Sequence, residues 1–120
     1  MEDFILKYKA ALASQQWINI SPLIAEDACV VFSDGSIHQG KAQIKIAFER
    51  NFKIIKNEHY EMKNIRWIKK EENFGVYLFD FYWTGFIYGE SYSGNGMGTS
   101  VLIKMEEKWC LLSEHLAKKV

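Results

Sequence analysis

Three titratable side chains of this chain lie inside apolar segments, where they could take part in proton transfer. Glu114 and His115 are adjacent near the end of the last apolar run, and Asp80 interrupts a run of aromatic residues. A carboxyl group surrounded by aromatic side chains has a raised pKa and can act as a general acid or base. Because neighbours in a strand point to opposite sides, Glu114 and His115 cannot form a single catalytic dyad.

The aromatic run extends from Gly75 to Gly89 and carries large side chains at both odd and even positions. Alternate residues of a strand line opposite faces, so both faces of this strand need cover. We expect one face to pack on helices or line a cavity. The other face is expected to meet a second subunit, with Asp80 as a polar group that pairs across the dimer. The odd-numbered face comprises Tyr77, Phe79, Phe81 and Trp83.

Sequence signatures of several other chemistries are missing. There is no Gly-x-Ser-x-Gly motif, so nucleophilic hydrolysis is unsupported. His38 and His59 have no partners at ligand spacing, and we expect no metal site and no cofactor. The glycine-rich segment 94–98 leads into a strand rather than a helix, so it lacks the helix N-terminus of a phosphate-binding loop. We expect a flexible connection or a bulge there.

Composition limits the partners and the compartment. The 120 residues are expected to form one domain spanning the whole chain, and fifteen acidic residues balance fifteen basic ones, which argues against a nucleic-acid partner. No segment approaches the roughly 20 apolar residues of a membrane span, and the N-terminus does not resemble a signal peptide. We therefore expect no membrane partner and a cytoplasmic location. Cys29 and Cys110 are predicted to be buried free thiols, with a disulfide as the less favoured alternative.

Hydrophobic spacing predicts three helices ahead of a sheet. Apolar residues recur at helical intervals over 3–14 and 41–55, and a brief helix is expected around Pro22. From His59 onward the period changes to two, which indicates sequential antiparallel strands. The predicted strands are 28–32, a short hairpin partner at 37–39, and four long strands at 59–70, 74–88, 96–106 and 108–117.

This order, α-α-β-α-β-β-β-β, resembles the nuclear transport factor 2-like superfamily, nearest its SnoaL-like and ketosteroid-isomerase-like members. The best local match is Gly98-Thr-Ser-Val-Leu-Ile-Lys followed by Lys108-Trp-Cys-Leu-Leu-Ser-Glu-His-Leu, which is similar to the family's last hairpin. The resemblance implies an α+β, cystatin-like cone, in which three N-terminal helices pack on a long, strongly bent antiparallel sheet around a mainly apolar pocket. It also implies a homodimer formed through the outer face of the sheet.

In the ketosteroid-isomerase-like branch, a carboxylate of the first strand removes a proton, while a tyrosine of the first helix and a protonated carboxyl stabilise the oxyanion. The resemblance puts Tyr8 at the tyrosine position, Phe32 at the position of the base, and Thr99 near the second donor. Phenylalanine cannot accept a proton, so steroid-type isomerisation is not expected. Tyr8 is then either a catalytic donor or a packing residue of the first helix.

The same resemblance implies which side chains line the pocket. Glu114 would lie among aromatic residues or, alternatively, be solvated near the cone mouth. If the assignment of faces is off by one, His115 enters the pocket instead. Asn64 and Arg66 carry a similar ambiguity, and Arg66 inside the cone could hold a ligand carboxylate in a bidentate grip. The remaining implied lining residues are Phe79, Phe81, Trp83, Thr99, Val101 and Leu112.

Two functional hypotheses follow. The first is a protein that binds an unknown small apolar or aromatic molecule in an aromatic-lined cone. If it is an enzyme, it is of isomerase, lyase or cyclase type, with Glu114 and Tyr8 as catalytic groups. The second is a non-catalytic homodimerisation or scaffold module. Its working surface is the outer sheet face, to which Leu78, Tyr82, Leu102, Trp109 and Leu111 are assigned.

Overall fold

The computed structural model of the chain describes residues 1–119 and has the α+β element order that the sequence predicts. Three helical segments precede or interrupt the start of the sheet, and four long strands follow them. The elements are α1 (Glu2–Ser14), α2 (Trp17–Ile20) with a 3-10 turn (Ser21–Leu23), β1 (Ile24–Val31), β2 (Ile37–Gln39), α3 (Lys41–Ile54), β3 (Ile55–Lys70), β4 (Phe74–Ile87), β5 (Glu90–Met105) and β6 (Lys108–Lys118).

The six strands form one sheet in the order β2-β1-β6-β5-β4-β3. Strands β3 to β6 pair antiparallel with one another, as expected, whereas β1 runs parallel to β6, so the sheet is mixed. Register shifts interrupt three of these pairings. Such bulges increase the local twist and bend a strand, which lets the sheet curve around one face.

The odd-numbered residues of β4 form the inner wall of this curved sheet. Tyr77, Phe79 and Phe81 are completely or almost completely buried within the single chain. Helices α1 and α3 cover them with Tyr8, Ile44 and other buried side chains. Because the even-numbered residues point the other way, Asp80 lies on the outer face.

The glycine-rich segment 94–98 is part of strand β5, so the expectation of a flexible connection or bulge there was wrong. Its three glycines alternate along the inner face, and each is the cross-strand partner of an aromatic residue of β4. The aromatic ring lies over the glycine, in the space that a Cβ atom would fill. Aromatic side chains stabilise glycine in strands in this way. The pairs are Trp83 with Gly94, Phe81 with Gly96, and Phe79 with Gly98.

The register also corrects the faces assigned to β5 and β6. Thr99 and Val101 pair with even-numbered residues of β4 and therefore lie on the outer face, outside the cone. Leu102 and Leu111, expected outside, are completely buried. The physical reason is the two-residue period of a strand, since a shift of one residue exchanges the two faces.

Asn64 and Arg66 also lie outside the cone. The pairing of β3 with β4 is interrupted between Lys63 and Arg66, where Asn64 adopts a positive φ of 56°. On the outer face, the Asn64 amide donates a hydrogen bond to an Asp80 oxygen at 2.7 Å, and an Arg66 nitrogen lies 3.6 Å from the other oxygen. Asp80 therefore has partners within its own chain.

Cys29 and Cys110 are free and half-buried rather than fully buried. Among residues 1–119, no helix is long and apolar enough to cross a membrane. Within the same range, no group of three or more His, Cys, Asp or Glu side chains is arranged to hold a metal ion.

The close fit of aromatic rings over glycines predicts a strand position that does not tolerate a methyl group. In Gly98→Ala, the added Cβ would overlap the Phe79 ring. We expect the free energy of unfolding to fall by about 1–3 kcal/mol, the usual effect of overpacking a core. The measurement is urea unfolding followed by tryptophan fluorescence.

Met105→Ala is the matched control, because Met105 is an exposed residue near the end of the same strand. An alanine at position 98 that costs no more than the one at position 105 would contradict the described packing.

Candidate functional site

A cavity of about 330 Å³ lies between the inner face of the sheet and helices α1 and α3, and it opens to solvent. Apolar and aromatic residues make up most of its lining, and its charged residues comprise Glu114, Asp34, Glu58, Arg50 and Lys118. The other lining residues are Tyr8, Leu12, Phe32, Ser33, Phe48, Asn51, Phe52, Ile55, Tyr60, Phe81, Trp83 and Leu116. The cone is therefore not filled by its own aromatic side chains.

Glu114 is the buried carboxyl group of this cavity, with 4 % of its surface exposed. The Tyr8 hydroxyl donates a hydrogen bond to Glu114 Oε2 at 3.1 Å, and the Ser100 hydroxyl donates one to Oε1 at 3.1 Å. Each carboxyl oxygen thus has one neutral donor and no cation. The expectation that Glu114 lies among aromatic residues agrees with this placement, while its alternative place at a solvated mouth does not.

Burial raises the pKa of Glu114 from its ordinary value to about 7, because the charged form loses its hydration. The hydrogen bonds from Tyr8 and Ser100 favour the charged form and offset part of this rise. Near pH 7 the carboxyl is therefore present in both protonation states. This is the condition in which one side chain can both remove and return a proton.

The strand register brings Ser100 to the carboxyl. Tyr77, Ser100 and Glu114 are successive cross-strand partners on β4, β5 and β6, so they form one row on the inner face. Burial raises the pKa of the Tyr77 hydroxyl, which stays protonated. Among residues 1–119, this hydroxyl is the one buried side-chain polar atom without a hydrogen-bond partner. The nearby Ser100 side chain opposes part of the rise in the Tyr77 pKa, so Ser100 lies between Tyr77 and Glu114 in this row.

Two further ionisable groups face the cavity from β3. Burial raises the pKa of Tyr60 well above its ordinary value, and the nearby charge of Glu114 adds to this effect. Tyr60 thus presents a protonated phenol beside the Phe81 ring, at a centroid distance of 6.3 Å. Burial also raises the pKa of Glu58, although a hydrogen bond from the Gln15 amide at 3.4 Å opposes the change.

Five of the residues proposed from the sequence line the cavity together: Tyr8, Phe32, Phe81, Trp83 and Glu114. Phe79 is on the same face of β4 but is completely buried. Leu112 lies at the β6 register shift and is half-buried against the core. His115 pairs with Thr99 on the outer face, so the alternative in which His115 enters the cone is corrected. Asn64, Arg66, Thr99 and Val101 also lie outside the cavity, as described above.

The sequence did not single out Ser100, Tyr60, Glu58, Arg50 or Lys118. Ser100 could have been found from its spacing, because it lies two residues after Gly98 on the same face of β5. Tyr60 lies two residues before Met62 in β3, so the two side chains point to the same face, and that of Met62 is buried. This spacing could have identified Tyr60. Arg50 and Lys118 lie on α3 and at the end of β6, and only the folded arrangement brings them to one opening.

Comparison with solved structures identifies the fold. No family model and no curated protein matches the sequence. An uncharacterised protein with a cystatin-like fold from Caulobacter vibrioides superimposes with a TM-score of 0.86 at 16% identity, over 99% of this chain and 87% of that one. A candidate scytalone dehydratase from Novosphingobium aromaticivorans gives 0.86 at 16% identity, over 99% and 81%. A candidate dehydratase of the NTF2-like family from Streptomyces avermitilis gives 0.86 at 10% identity, over 98% and 92%.

These likenesses span nearly the whole chain. The fold is therefore the cystatin-like fold of nuclear transport factor 2-like proteins, and the predicted resemblance is confirmed at the level of the fold. Identities of this size show shared architecture alone, and function must be argued from the cavity itself.

The raised pKa of Glu114 predicts a pH-dependent stability. The unfolded carboxyl ionises near 4.5 and the folded one near 7, so between these values the folded chain binds more protons than the unfolded chain. The contribution of this carboxyl to the free energy of unfolding therefore falls as pH rises through this window, by about 3 kcal/mol, and is constant above it. In Glu114→Gln this contribution is lost. The unfolding free energy of the variant, relative to the unmodified protein, should rise by that amount from pH 4.5 to 7, as measured by urea titration.

Glu49→Gln, on the exposed surface of α3, is the control and should follow the unmodified protein at every pH. Parallel pH profiles for Glu114→Gln and the unmodified protein would show that the carboxyl does not titrate in this window.

Proposed function

We propose that this protein binds a small apolar or aromatic molecule in the cavity. We further propose that Glu114 removes a proton from one atom of this molecule and returns it to another. The observation that carries the proposal is a buried carboxyl group with a pKa of about 7 on the wall of a cavity that opens to solvent. A volume of about 330 Å³ is at the lower end of the range of ligand pockets. We therefore propose a ligand with one or two rings.

The proposed reaction begins at a carbon next to a carbonyl group. The Glu114 carboxylate removes a proton from this carbon, and the electron pair of the C–H bond moves toward the carbonyl oxygen to give an enolate. The Tyr60 hydroxyl donates a hydrogen bond to that oxygen, where negative charge develops. Tyr8 and Ser100 are positioning residues, because each holds one oxygen of the carboxyl rather than the ligand.

Two outcomes preserve the balance of atoms. Where the ligand carries a C=C bond conjugated to the enolate, Glu114 can return its proton to the far carbon of the resulting dienolate, which moves the double bond and isomerises the ligand. Alternatively, the enolate electrons can expel a hydroxyl group on the adjacent carbon, and Glu114 protonates it to release water. The activity is thus of isomerase or lyase type. Two of the similar structures are described as candidate dehydratases, which supports the second outcome without establishing it.

The finer assignment to the SnoaL-like or ketosteroid-isomerase-like branch stays a prediction. Phe32 lines the cavity at the position that the resemblance gives to the base. In our proposal, Glu114 on the last strand supplies the missing carboxyl, while Tyr8 binds Glu114 rather than an oxyanion. The chemistry would then be proton transfer by a base on the last strand instead of the first.

A second proposal concerns the outer sheet face, and it concerns assembly rather than catalysis. Tyr82 and Met97 remain 41% and 44% exposed there, and Leu78 and Val101 are half-buried beside them. Apolar side chains gathered on one sheet face are typical of a protein interface. We propose that two copies of the chain pair through this face. A scaffold function would depend on this pairing of two chains and would not require a ligand in the cavity.

The proton-transfer proposal predicts exchange on a two-ring ketone. In deuterium oxide, the protein should accelerate the incorporation of deuterium at the carbon next to the carbonyl group of 2-tetralone. The incorporation is measured by proton NMR. The rate should rise as pH increases through about 7, because the ionised Glu114 is the base. In Glu114→Gln it should fall at least about 100-fold, toward the rate in buffer, since general base catalysis contributes about 10²–10⁴-fold.

Glu49→Gln serves again as the control and should exchange the ketone at the unmodified rate. A Glu114→Gln variant that retains the acceleration would remove this carboxyl from the mechanism.

The assembly proposal predicts a dimer at micromolar concentration by light scattering. Met97→Glu places charge on the outer sheet face and should shift the mass to that of one chain. Ile46→Glu changes an exposed apolar residue of α3 and should leave the dimer intact. A monomeric unmodified protein would rule out pairing through this face at that concentration.

A further inference from the structure

A second hollow of about 690 Å³ adjoins the mouth of the cavity. The two spaces share Ser33, Phe81, Trp83 and Lys118, so they adjoin at the Trp83 side chain. Trp83 lies over Gly94, which leaves no side chain of β5 between its ring and the strand. A ligand that extends beyond the inner cavity at this point would reach the outer hollow.

The outer hollow differs from the inner cavity in its charge. Its lining includes Lys118 and Lys119 and, within residues 1–119, no carboxylate. The ion pairs of that part of the chain include neither lysine. The remaining lining is Tyr82, Thr84, Tyr92, Ser93, Gly94 and Asn95 together with the shared residues.

The nearby carboxylates of residues 1–119 have other hydrogen-bond or ion-pair partners or line the inner cavity. Asp80, whose pKa is lowered in part by Lys119, is already bound by Asn64 and Arg66. Glu90 accepts a hydrogen bond from the Tyr92 hydroxyl at 3.2 Å. Asp34 and Glu58 line the inner cavity, where Arg50 also lies. Within residues 1–119, no carboxylate therefore forms an ion pair with Lys118 or Lys119.

We infer that the ligand is an organic anion with an apolar ring system, and this inference rests on the proposed function. The rings occupy the inner cavity next to Glu114, and a carboxylate, sulfonate or phosphate group lies in the outer hollow beside Lys118 and Lys119. This arrangement keeps the anionic group in a solvated place, since burying an unpaired charge is costly. It also keeps a second negative charge away from Glu114, where like-charge repulsion would further disfavour ionisation.

The test uses a pair of fluorescent probes that share their rings and differ in charge. The anionic probe is naphthalene-2-sulfonate, and the neutral one is naphthalene-2-sulfonamide, which has the same two rings. Affinities are measured by fluorescence titration of the unmodified protein, of Lys118→Gln/Lys119→Gln, and of the control Lys45→Gln/Lys108→Gln. The control removes the same charge from exposed positions outside both spaces.

We expect the unmodified protein to bind the anionic probe more tightly than the neutral one. The Lys118→Gln/Lys119→Gln variant should weaken binding of the anionic probe about two- to twentyfold, the effect of two solvent-exposed ion pairs, and leave the neutral probe unchanged. The preference for the anion should also decrease as salt is raised.

The failures are distinguishable. If the neutral probe binds but the Lys118→Gln/Lys119→Gln and control variants bind the anionic probe equally, the inference is overturned and the proposed cavity function stands. If neither probe binds to the folded unmodified protein, the cavity does not take a two-ring ligand, and the proposed function fails together with the inference.

Discussion

The packing of aromatic rings over glycines between β4 and β5 is the constraint on which the rest of the structure depends. Phe79, Phe81 and Trp83 need space on the inner face, and glycines directly opposite provide it without breaking the strand pairing. This packing fixes the register of the two strands, because a slip by one residue would place the rings against side chains. The same register brings Ser100 beside Glu114 and leaves a hollow on the side of the helices.

The chemistry of the cavity depends on the small number of charged groups near Glu114. Glu114 is surrounded by aromatic and hydroxyl groups, and the two hydroxyl donors do not replace the hydration that burial removes. A cation beside it would lower its pKa and fix it as a permanent anion. The structure instead keeps its cations, Arg50, Lys118 and Lys119, on the more open parts of the two spaces. The burial of this carboxyl lowers the folding stability at the pH at which it is ionised, and such perturbed groups are typical of functional sites.

The sequence predicted the parts of this arrangement that depend on local periodicity. Alternation separated the two faces of β4. The family resemblance then indicated which face points inward and selected Tyr8 on the first helix and Glu114 on the last strand. The errors arose where position depends on pairing between strands. A positive φ at Asn64 and a register shift near Leu112 change which side chains face inward. Neither irregularity can be predicted from the residue type at that position. Thr99 was misassigned because its partner on β4 is visible only after folding.

Strand β6 occupies an interior place in the sheet, hydrogen-bonded to β5 on one side and to β1 on the other. Glu114 is therefore held by a backbone that has little freedom to move. The opening of the cone is built differently, from the turn after β1 and from the terminal residues of β6. Selection or engineering can thus alter which molecules are admitted by replacing residues at the rim, while the reactive group keeps its geometry.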